Sequence, residues 1–464
     1  MTTQPSEPSQ SALSVLPFWR SRRFITITAV LALSAGIMGA SLALFLRSKP
    51  FQKRELTPEE AQAFNKEDKD ISQLTAGLPK LTRPVHVLIL GTVVLSNDHP
   101  NFSRPDDRFF RQIDDNLNGQ SDAILLVRLD PDRGKVTALS IPRDTRADIP
   151  GLGVGKINSA NFAGGIMMSA LAVSKLLGGV QIDRFLRVNV TGFNKLIDAL
   201  GGVEIYVPKD MKYQDDSQHL YINLKAGKQI LNGEQAVQYM RFRQDDLGDI
   251  GRVQRQQAFI RALIQQKLTL ETVVRLPEIF EVLKENLDTN LTIEEMLAMA
   301  NFAAQVGREN TNFLMLPGRF STSGEFTLSY WLADEQAVTR LMTEYFDVLP
   351  KLGAKTNRKP TPATIRIAIQ DSRPTPSGSA QALLQKLTRA GYPLVSLADN
   401  KEIVPQAKTQ IIAQSGDRAS ALLVQKTLGV GEVVVESTGV LESDVTIRIG
   451  QDWQDASLDA PSAP

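Results

Sequence analysis

The sequence predicts an α/β protein: a central mixed β-sheet flanked by helices, preceded by one transmembrane helix and followed by a small α/β domain. Three observations carry this. Short apolar runs at 85–90, 123–129 and 136–141 alternate downstream with stretches of helical periodicity, the pattern of strands covered by helices. Residues 24–46 (FITITAVLALSAGIMGASLALFL) hold 23 residues without a charge. A Pro/Lys/Gly-rich stretch at 351–362 is followed by a fresh strand–helix alternation.

The elements follow in order. Residues 1–23 open with a Ser/Pro/Gln-rich stretch and read as a disordered tail, which the resemblance given below places in the cytoplasm. At about 1.5 Å per residue, a helix over 24–46 crosses a hydrocarbon core of about 30 Å, and it exceeds the apolar core of a cleaved leader. Arginine and lysine flank it on both sides, so charge does not orient it. Thr57-Pro58-Glu59-Glu60 reads as a capping box that starts a polar helix to about Leu74, a stalk within 47–83. A folded domain spans 84–350. It opens on the run at 85–90 and carries a long polar loop at 96–120. Asp130-Pro131-Asp132-Arg133-Gly134 is a hairpin turn between two strands. Helical pattern covers 165–177 and 191–200, with strands at 185–188 and 203–207. Residues 270–348 add helices, one opened by the capping box Thr292-Ile293-Glu294-Glu295, and 312–316 suits a strand returning to the main sheet. After the linker at 351–362, residues 363–450 form the small α/β domain, with strands at 365–369, 410–413 and 445–449 and helices at 379–390 and 418–428; 451–464 is a tail.

Composition excludes several classes of function. There is no cysteine, so disulfides, thiol nucleophiles and thiolate metal sites are absent. A net charge of +1 lacks the footprint of a nucleic-acid binder. The only histidines are His86, His99 and His219, none beside a serine elbow and no two at zinc-ligand spacing.

What remains is a chemistry of cations and carboxylates. Residues 232–264 (NGEQAVQYMRFRQDDLGDIGRVQRQQAFIRALI) hold Arg241, Arg243, Arg252, Arg255 and Arg261. Arginine suits planar, bidentate recognition of phosphate. Arg241 and Arg243, two apart, would point to one side of an extended segment. From Gly251 a helix is expected on which Arg252, Arg255, Gln256, Phe259 and Leu263 share a face, cationic at its start and apolar at its end. The same spacing also suits a solvated helix with Asp245, Asp246 and Asp249 as surface partners. Asp122 stands at a strand entrance, where a carboxylate can hold a metal. Arg143 and Asp144 follow Pro142 at the end of the next strand, the usual edge for ligand groups in an α/β sheet. The run Gly151 to Lys156 (GLGVGK) fails the spacing of a Walker loop, and no Ser or Thr follows its lysine. Each of these pieces alone also fits a turn or a cap.

Their order, however, resembles one family. Ser121-Asp122, SIPRDT (140–145), GKIN (155–158), GGVEIYVP (201–208), LNGEQA (231–236), RFR (241–243) and DIGRVQRQQ (249–257) resemble the LytR-CpsA-Psr family of bacterial cell-envelope proteins, over about residues 84–270. Residues 363–450 look like the C-terminal domain that often accompanies it. The resemblance implies a single-pass protein of the plasma (inner) membrane with its large C-terminal part extracytoplasmic. It implies an enzyme that moves a glycan polymer from a polyprenyl-pyrophosphate carrier to a hydroxyl of peptidoglycan, with membrane lipid as neighbour and no nucleic acid as partner. Carried over by position, Asp122, Arg143 and Asp144 are catalytic, and Arg143, Arg241, Arg243, Arg252 and Gln256 hold the pyrophosphate, with Lys156 and Arg255 as further candidates. Asp122 would ligate Mg2+ (or Mn2+), and the lipid tail would need an apolar tunnel between sheet and helices. One departure stands out. The family's first strand usually ends Leu-Gly-x-Asp, with that Asp as second metal ligand, whereas here the run is Leu90-Gly91-Thr92-Val93. Either Asp98 or another loop carboxylate substitutes, or metal binding is weakened, or this chain binds carrier without efficient transfer. The other readings are a carrier-binding or assembly protein of the same fold, a carrier pyrophosphatase and, last, a transcription attenuator.

Overall fold

Short apolar segments, each too narrow to bury itself alone, pair into a sheet that helices cover on both faces. The computed structural model describes residues 54–64, 70–73, 78–93, 117–216, 220–244, 249–267, 269–349, 360–373, 378–398 and 405–453. The apolar run at 24–46, Asp98, most of the linker and the C-terminal tail lie outside the described residues. Among the described residues, no helix is long and apolar enough to cross a membrane.

In chain order come β1 (Val85–Val93), β2 (Gln120–Asp130), β3 (Lys135–Ser140), β4 (Arg146–Ile149), β5 (Gly153–Lys156), α1 (Ser159–Leu176), β6 (Arg184–Asn189) and α2 (Val190–Ala199). Next are β7 (Val203–Val207), β8 (Met211–Asp215), β9 (Leu220–Leu224), β10 (Gly227–Leu231), α3 (Gly233–Arg241), α4 (Asp249–Lys267) and α5 (Leu270–Leu283). The domain closes with β11 (Leu287–Thr289), α6 (Ile293–Gln305), β12 (Thr311–Met315), β13 (Gly318–Phe320), β14 (Trp331–Ala333) and α7 (Glu335–Phe346). The main sheet has the order β11-β6-β1-β2-β3-β12. It is mixed: β1–β2, β2–β3 and β6–β11 are antiparallel, β1–β6 and β3–β12 parallel.

Alternation along β1 explains its double burial. Leu88 and Leu90 belong to the core on the α1 side with Ile166, Ala170 and Val173, while Val85 and Val87 pack with Phe280 of α5 and Met296 of α6. A separate core joins β7 to β10 with α2, α3 and α4. His86 lies in β1, its Nδ1 2.9 Å from Gln181 O, an ordinary strand histidine.

One expectation is corrected. In place of a polar helix to Leu74 there is a short 3-10 turn at Glu60–Ala63 and a strand at Ser72–Gln73. The capping exchange at Thr57 does form, with Glu60 N donating to Thr57 Oγ1 at 3.2 Å and Thr57 N to Glu60 Oε2 at 3.1 Å. The segment is nevertheless captured by the core rather than standing free, because Phe64 packs on Phe185 and Ile71 is fully buried. The helical pattern at 165–177 joins the helix start at Asn158 as α1, which kinks at Gly164 and Gly165, where Gly165 has φ 62°.

Beyond the linker, β15 (Ile367–Asp371), α8 (Ser379–Arg389), β16 (Val395–Leu397), β17 (Gln410–Ala413), α9 (Arg418–Leu428), β18 (Glu432–Val434) and β19 (Val445–Ile449) make a second sheet of order β16-β15-β19-β17-β18. Its apolar residues Ile367, Leu383, Val424 and Ile447 share one core with Leu314 and Trp331, and Phe51–Pro464 form one compact unit.

Candidate functional site

The site begins with an irregularity in a strand. Gly91 of β1 faces Ala123 of β2, but Thr92 faces Ser121, so Asp122 is the extra residue of a bulge. A bulge turns its extra residue out of the strand's alternation. The Asp122 carboxylate accepts a hydrogen bond from Arg143 Nη1 at 2.6 Å.

Arg143 is delivered by the turn that Pro142 imposes after β3. Thr145 closes that turn by donating its N and Oγ1 to Pro142 O at 3.0 and 2.6 Å. Asn158 N donates to Arg143 O at 3.2 Å, and Trp331 N to Asp144 O at 2.9 Å, so the turn is held by its backbone from two sides. The Asp144 carboxylate accepts from Lys156 Nζ at 2.7 Å and from Arg143 Nε at 3.4 Å. The glycine-rich run explains how Lys156 returns there. It is the hairpin β4–β5, in which Lys156 pairs with Arg146 and Gly151 and Gly153 adopt φ 77° and 78°, a conformation in which a side chain is strained.

LNGEQA builds the next contribution. Asn232 Oδ1 accepts from Gln235 N at 2.9 Å while Gln235 Oε1 accepts from Asn232 N at 3.1 Å, a reciprocal cap that starts α3. Gly233 permits the approach of α2, since a Cβ there would lie 2.3 Å from Asn194 O. The expectation of an extended segment at Arg241 and Arg243 is therefore corrected. Arg241 sits in the last turn of α3, Phe242 caps it, and Arg243 is exposed beyond. The cap and the buried Tyr239 and Phe242 favour helix over strand here.

α4 starts at Asp249, so Gly251 lies in its first turn rather than before it. Its cationic-to-apolar face is as expected: Arg252 and Arg255 are 3% and 6% exposed and Phe259 is fully buried. Arg252 Nη2 lies 3.8 Å from Asp144 Oδ2. Arg255 donates to Phe242 O and lies over the Phe242 ring, bracing the turn between α3 and α4. Gln256 is half-buried. The side chains of Asp245, Asp246 and Asp249, the alternative partners, lie outside the description.

Asp122, Arg143, Asp144, Lys156 and Arg252 thus meet, and the charge of Arg241 reaches Asp122. Burial opposes ionisation of Asp122, but Arg143, Arg252 and Arg241 outweigh it and hold the carboxyl below its usual range. Burial of Asp144 is likewise outweighed, by Arg143, Lys156 and Arg252. Both are ionised at neutral pH.

For a metal, the described residues offer no group of three potential ligands among His, Asp and Glu. Mg2+ is commonly held by one or two carboxylates with substrate phosphates supplying the rest. The ionised Asp122, turned out by its bulge, fits that mode and not a preformed cage. Val93 ends β1 opposite Gln120, next to this bulge.

Two contributors escaped sequence reasoning. Asn158 ties β2 to the turn, accepting at its O from Ser121 N at 3.2 Å and donating Nδ2 to Gln120 Oε1 at 3.0 Å. It lies inside GKIN, where it reads as a helix start. Trp331 is remote in sequence and has no local signal.

Arginines, a lysine and two ionised carboxylates thus gather beside the β2 bulge and the end of β3 of a mixed α/β sheet, an arrangement that can receive an anion. The chain belongs to the LytR-CpsA-Psr family, whose model matches residues 50–347, and a second model, described as LytR cell envelope-related transcriptional attenuator, matches residues 364–453. Similar proteins include the polyisoprenyl-teichoic acid–peptidoglycan teichoic acid transferase TagV of Bacillus subtilis (strain 168), 32% identical over 51% of this chain and 63% of TagV. The transferase TagU of Bacillus cereus is 30% identical over 63% of this chain and 88% of TagU. Regulatory protein MsrR of Staphylococcus aureus is 40% identical over 37% of this chain and 52% of MsrR. The chain therefore spans less than two thirds of the length of TagV and MsrR. The crystal structure of B. subtilis TagV is 28% identical with a TM-score of 0.47, over 58% of this chain and 99% of that one.

Proposed function

We propose that the chain is a membrane-anchored phosphotransferase that attaches a glycan polymer from a polyprenyl-pyrophosphate carrier to peptidoglycan. The observation that carries this reading is the convergence of Arg143, Lys156, Arg241 and Arg252, from separate segments, on Asp122 and Asp144. The names of TagV and TagU support it. Residues 24–46 would be the anchor in the plasma membrane, with the folded part outside.

Phosphoryl transfer asks the protein for positioning and charge stabilisation. Arg143, Arg241 and Arg252 bind the diphosphate, their planar forks matching its oxygens, and Lys156 adds a point charge. An acceptor hydroxyl oxygen attacks the glycan-side phosphorus, and the bridging P–O bond breaks. Polyprenyl monophosphate leaves with the bonding electrons, and the hydroxyl proton passes to an ionised carboxylate of the cluster. The guanidinium groups offset the charge that grows on the leaving oxygens. Mg2+ or Mn2+ held by Asp122 and phosphate oxygens would supply further neutralisation when bound.

A second reading, a carrier-binding or assembly protein with little turnover, is favoured by Val93, which offers no ligand where the family has Asp. The test incubates the full chain in detergent with carrier-linked labelled glycan, peptidoglycan and Mg2+. Label in sedimented peptidoglycan is the expected result. Carrier bound without transfer would overturn it in favour of the second reading, and phosphorylated glycan free in solution would make the chain a pyrophosphatase.

A further inference from the structure

The C-terminal domain reaches the site through one short segment. After β18 the chain runs beside β12: Phe313 N donates to Val435 O at 3.2 Å and Ser437 N to Phe313 O at 2.8 Å. Ser437 Oγ accepts from Met315 N at 2.9 Å and donates to Gln414 O at 2.7 Å. Met315 in turn pairs with Ser140, the last residue of β3 and the one that leads into the Arg143 turn. The same segment grips α4. Glu436 accepts from Arg261 Nη1 at 2.8 Å with each carboxylate oxygen, and Gly439 O accepts from Gln254 Nε2 at 3.1 Å. Glu436 is 4% exposed, and although burial opposes its charge, Arg261 holds it ionised. Arg448 Nη2 braces the segment by donating to Thr438 O at 2.8 Å.

We infer that residues 435–439 form a splint that sets α4 against the Arg143 turn, so that Glu436, Arg261 and Gln254 are positioning residues for the anion grip. The inference rests on the reading that Arg143 and Arg252 hold the diphosphate. The geometry gives the C-terminal domain, whose sequence holds no cluster with catalytic spacing, a route to the site. Arg252 and Arg261 belong to one helix, about 13 Å apart along an axis that rises about 1.5 Å per residue. A helix of that length moves as a rod, and Gln254 is held two residues from Arg252. The splint joins this rod to the edge strand β12, whose Met315 pairs with Ser140 of β3, three residues before Arg143. A contact that fixes the spacing of two anion-binding groups acts on affinity without touching the anion.

The test uses the full chain in detergent with inorganic pyrophosphate as probe, read by calorimetry, and hydrogen exchange at the amides of residues 252–261 without probe. Arg261→Leu removes the cation from α4 while Glu436 keeps Arg448 nearby; Gln254→Ala removes only the bond to Gly439. Arg261→Leu is expected to weaken pyrophosphate binding about tenfold and to speed α4 exchange by a similar factor, with Gln254→Ala smaller and Arg261→Lys recovering most of both. Exchange in β15 and β19 stays at the parent's rate if the domain remains folded. Unchanged α4 exchange in both Arg261→Leu and Gln254→Ala would overturn the splint, as would faster exchange with unchanged affinity. If the parent itself fails to bind pyrophosphate, the site reading falls, and the exchange data still decide whether the segment holds α4.

Discussion

β2 carries a charged cluster at each end, and the two differ in balance. At the Asp130 end, Arg128 Nη2 donates to Asp130 at 2.7 Å, and Arg133 Nη1 donates to Asp347 at 2.8 Å and to Asp130 at 3.0 Å. Arg128 also reaches Asp347, which its hydrogen bond draws down to about 2. Two cations meet two carboxylates, and the side chains of Arg128 and Asp130 are only 4% and 5% exposed. At the Asp122 end, among the described side chains, four cations serve two carboxylates, and one contact is as long as 3.8 Å. Each ion pair at the Asp130 end is 3.0 Å or shorter. At the Asp122 end the contacts run from 2.6 to 3.8 Å. On the proposed reading, that looser spacing is what lets a phosphate take the place of a carboxylate.

Four substitutions and one condition would sharpen or break that contrast. Arg128→Ala leaves buried Asp130 with Arg133 as its remaining cation and is expected to cost about 3 kcal/mol of stability, the low end for a broken buried pair, in denaturant titration, with activity per folded molecule unchanged. A loss of specific activity there would erase the distinction between the two ends. Arg143→Ala is expected to do the reverse, lowering transfer kcat/KM about 10²–10³-fold while the thermal midpoint moves little. Arg143→Lys should recover only a small part, because a single ammonium cannot reproduce the planar fork. Val93→Asp adds a carboxylate beside the bulge. It is expected to tighten Mn2+ binding about tenfold, read by electron paramagnetic resonance, whereas a carboxylate added at the Asp130 end should not.

The smallest effect concerns pH. Asp122 and Asp144 have depressed carboxyl pKa values, so their contribution to stability is fully present above the ordinary carboxylate value of about 3.9 and is lost as pH falls through the lower folded value. Pyrophosphate affinity should therefore change little through these two groups above about pH 5. A step near pH 6 would assign the titration to another group.

Much of the fold was legible because its signals are local. The turn Asp130 to Gly134, the strands Val203–Val207, Gln410–Ala413 and Val445–Ile449 and the helix Arg418–Leu428 have the bounds expected from composition and periodicity. The cap at Thr292 forms as read, with Glu295 N donating to Thr292 Oγ1 at 3.1 Å. The stalk failed for a non-local reason, since Phe64 and Ile71 find apolar partners that their own neighbours do not announce. Arg241 and Arg243 failed because a cap nine residues upstream of Arg241 outweighed their spacing.

From its residues alone this chain determined which groups could bind an anion, most of its strands and helices, and which chemistries were excluded by the absence of cysteine. Those properties depend on residue type and on neighbours a few positions away. Tertiary structure alone decided that Asp122 is the bulged residue, that Trp331 and Asn158 hold the Arg143 turn, and that Glu436 grips the arginine helix. Each of these depends on which strand pairs with which and in what register, a choice made by burial summed over the whole core rather than by any one stretch of sequence.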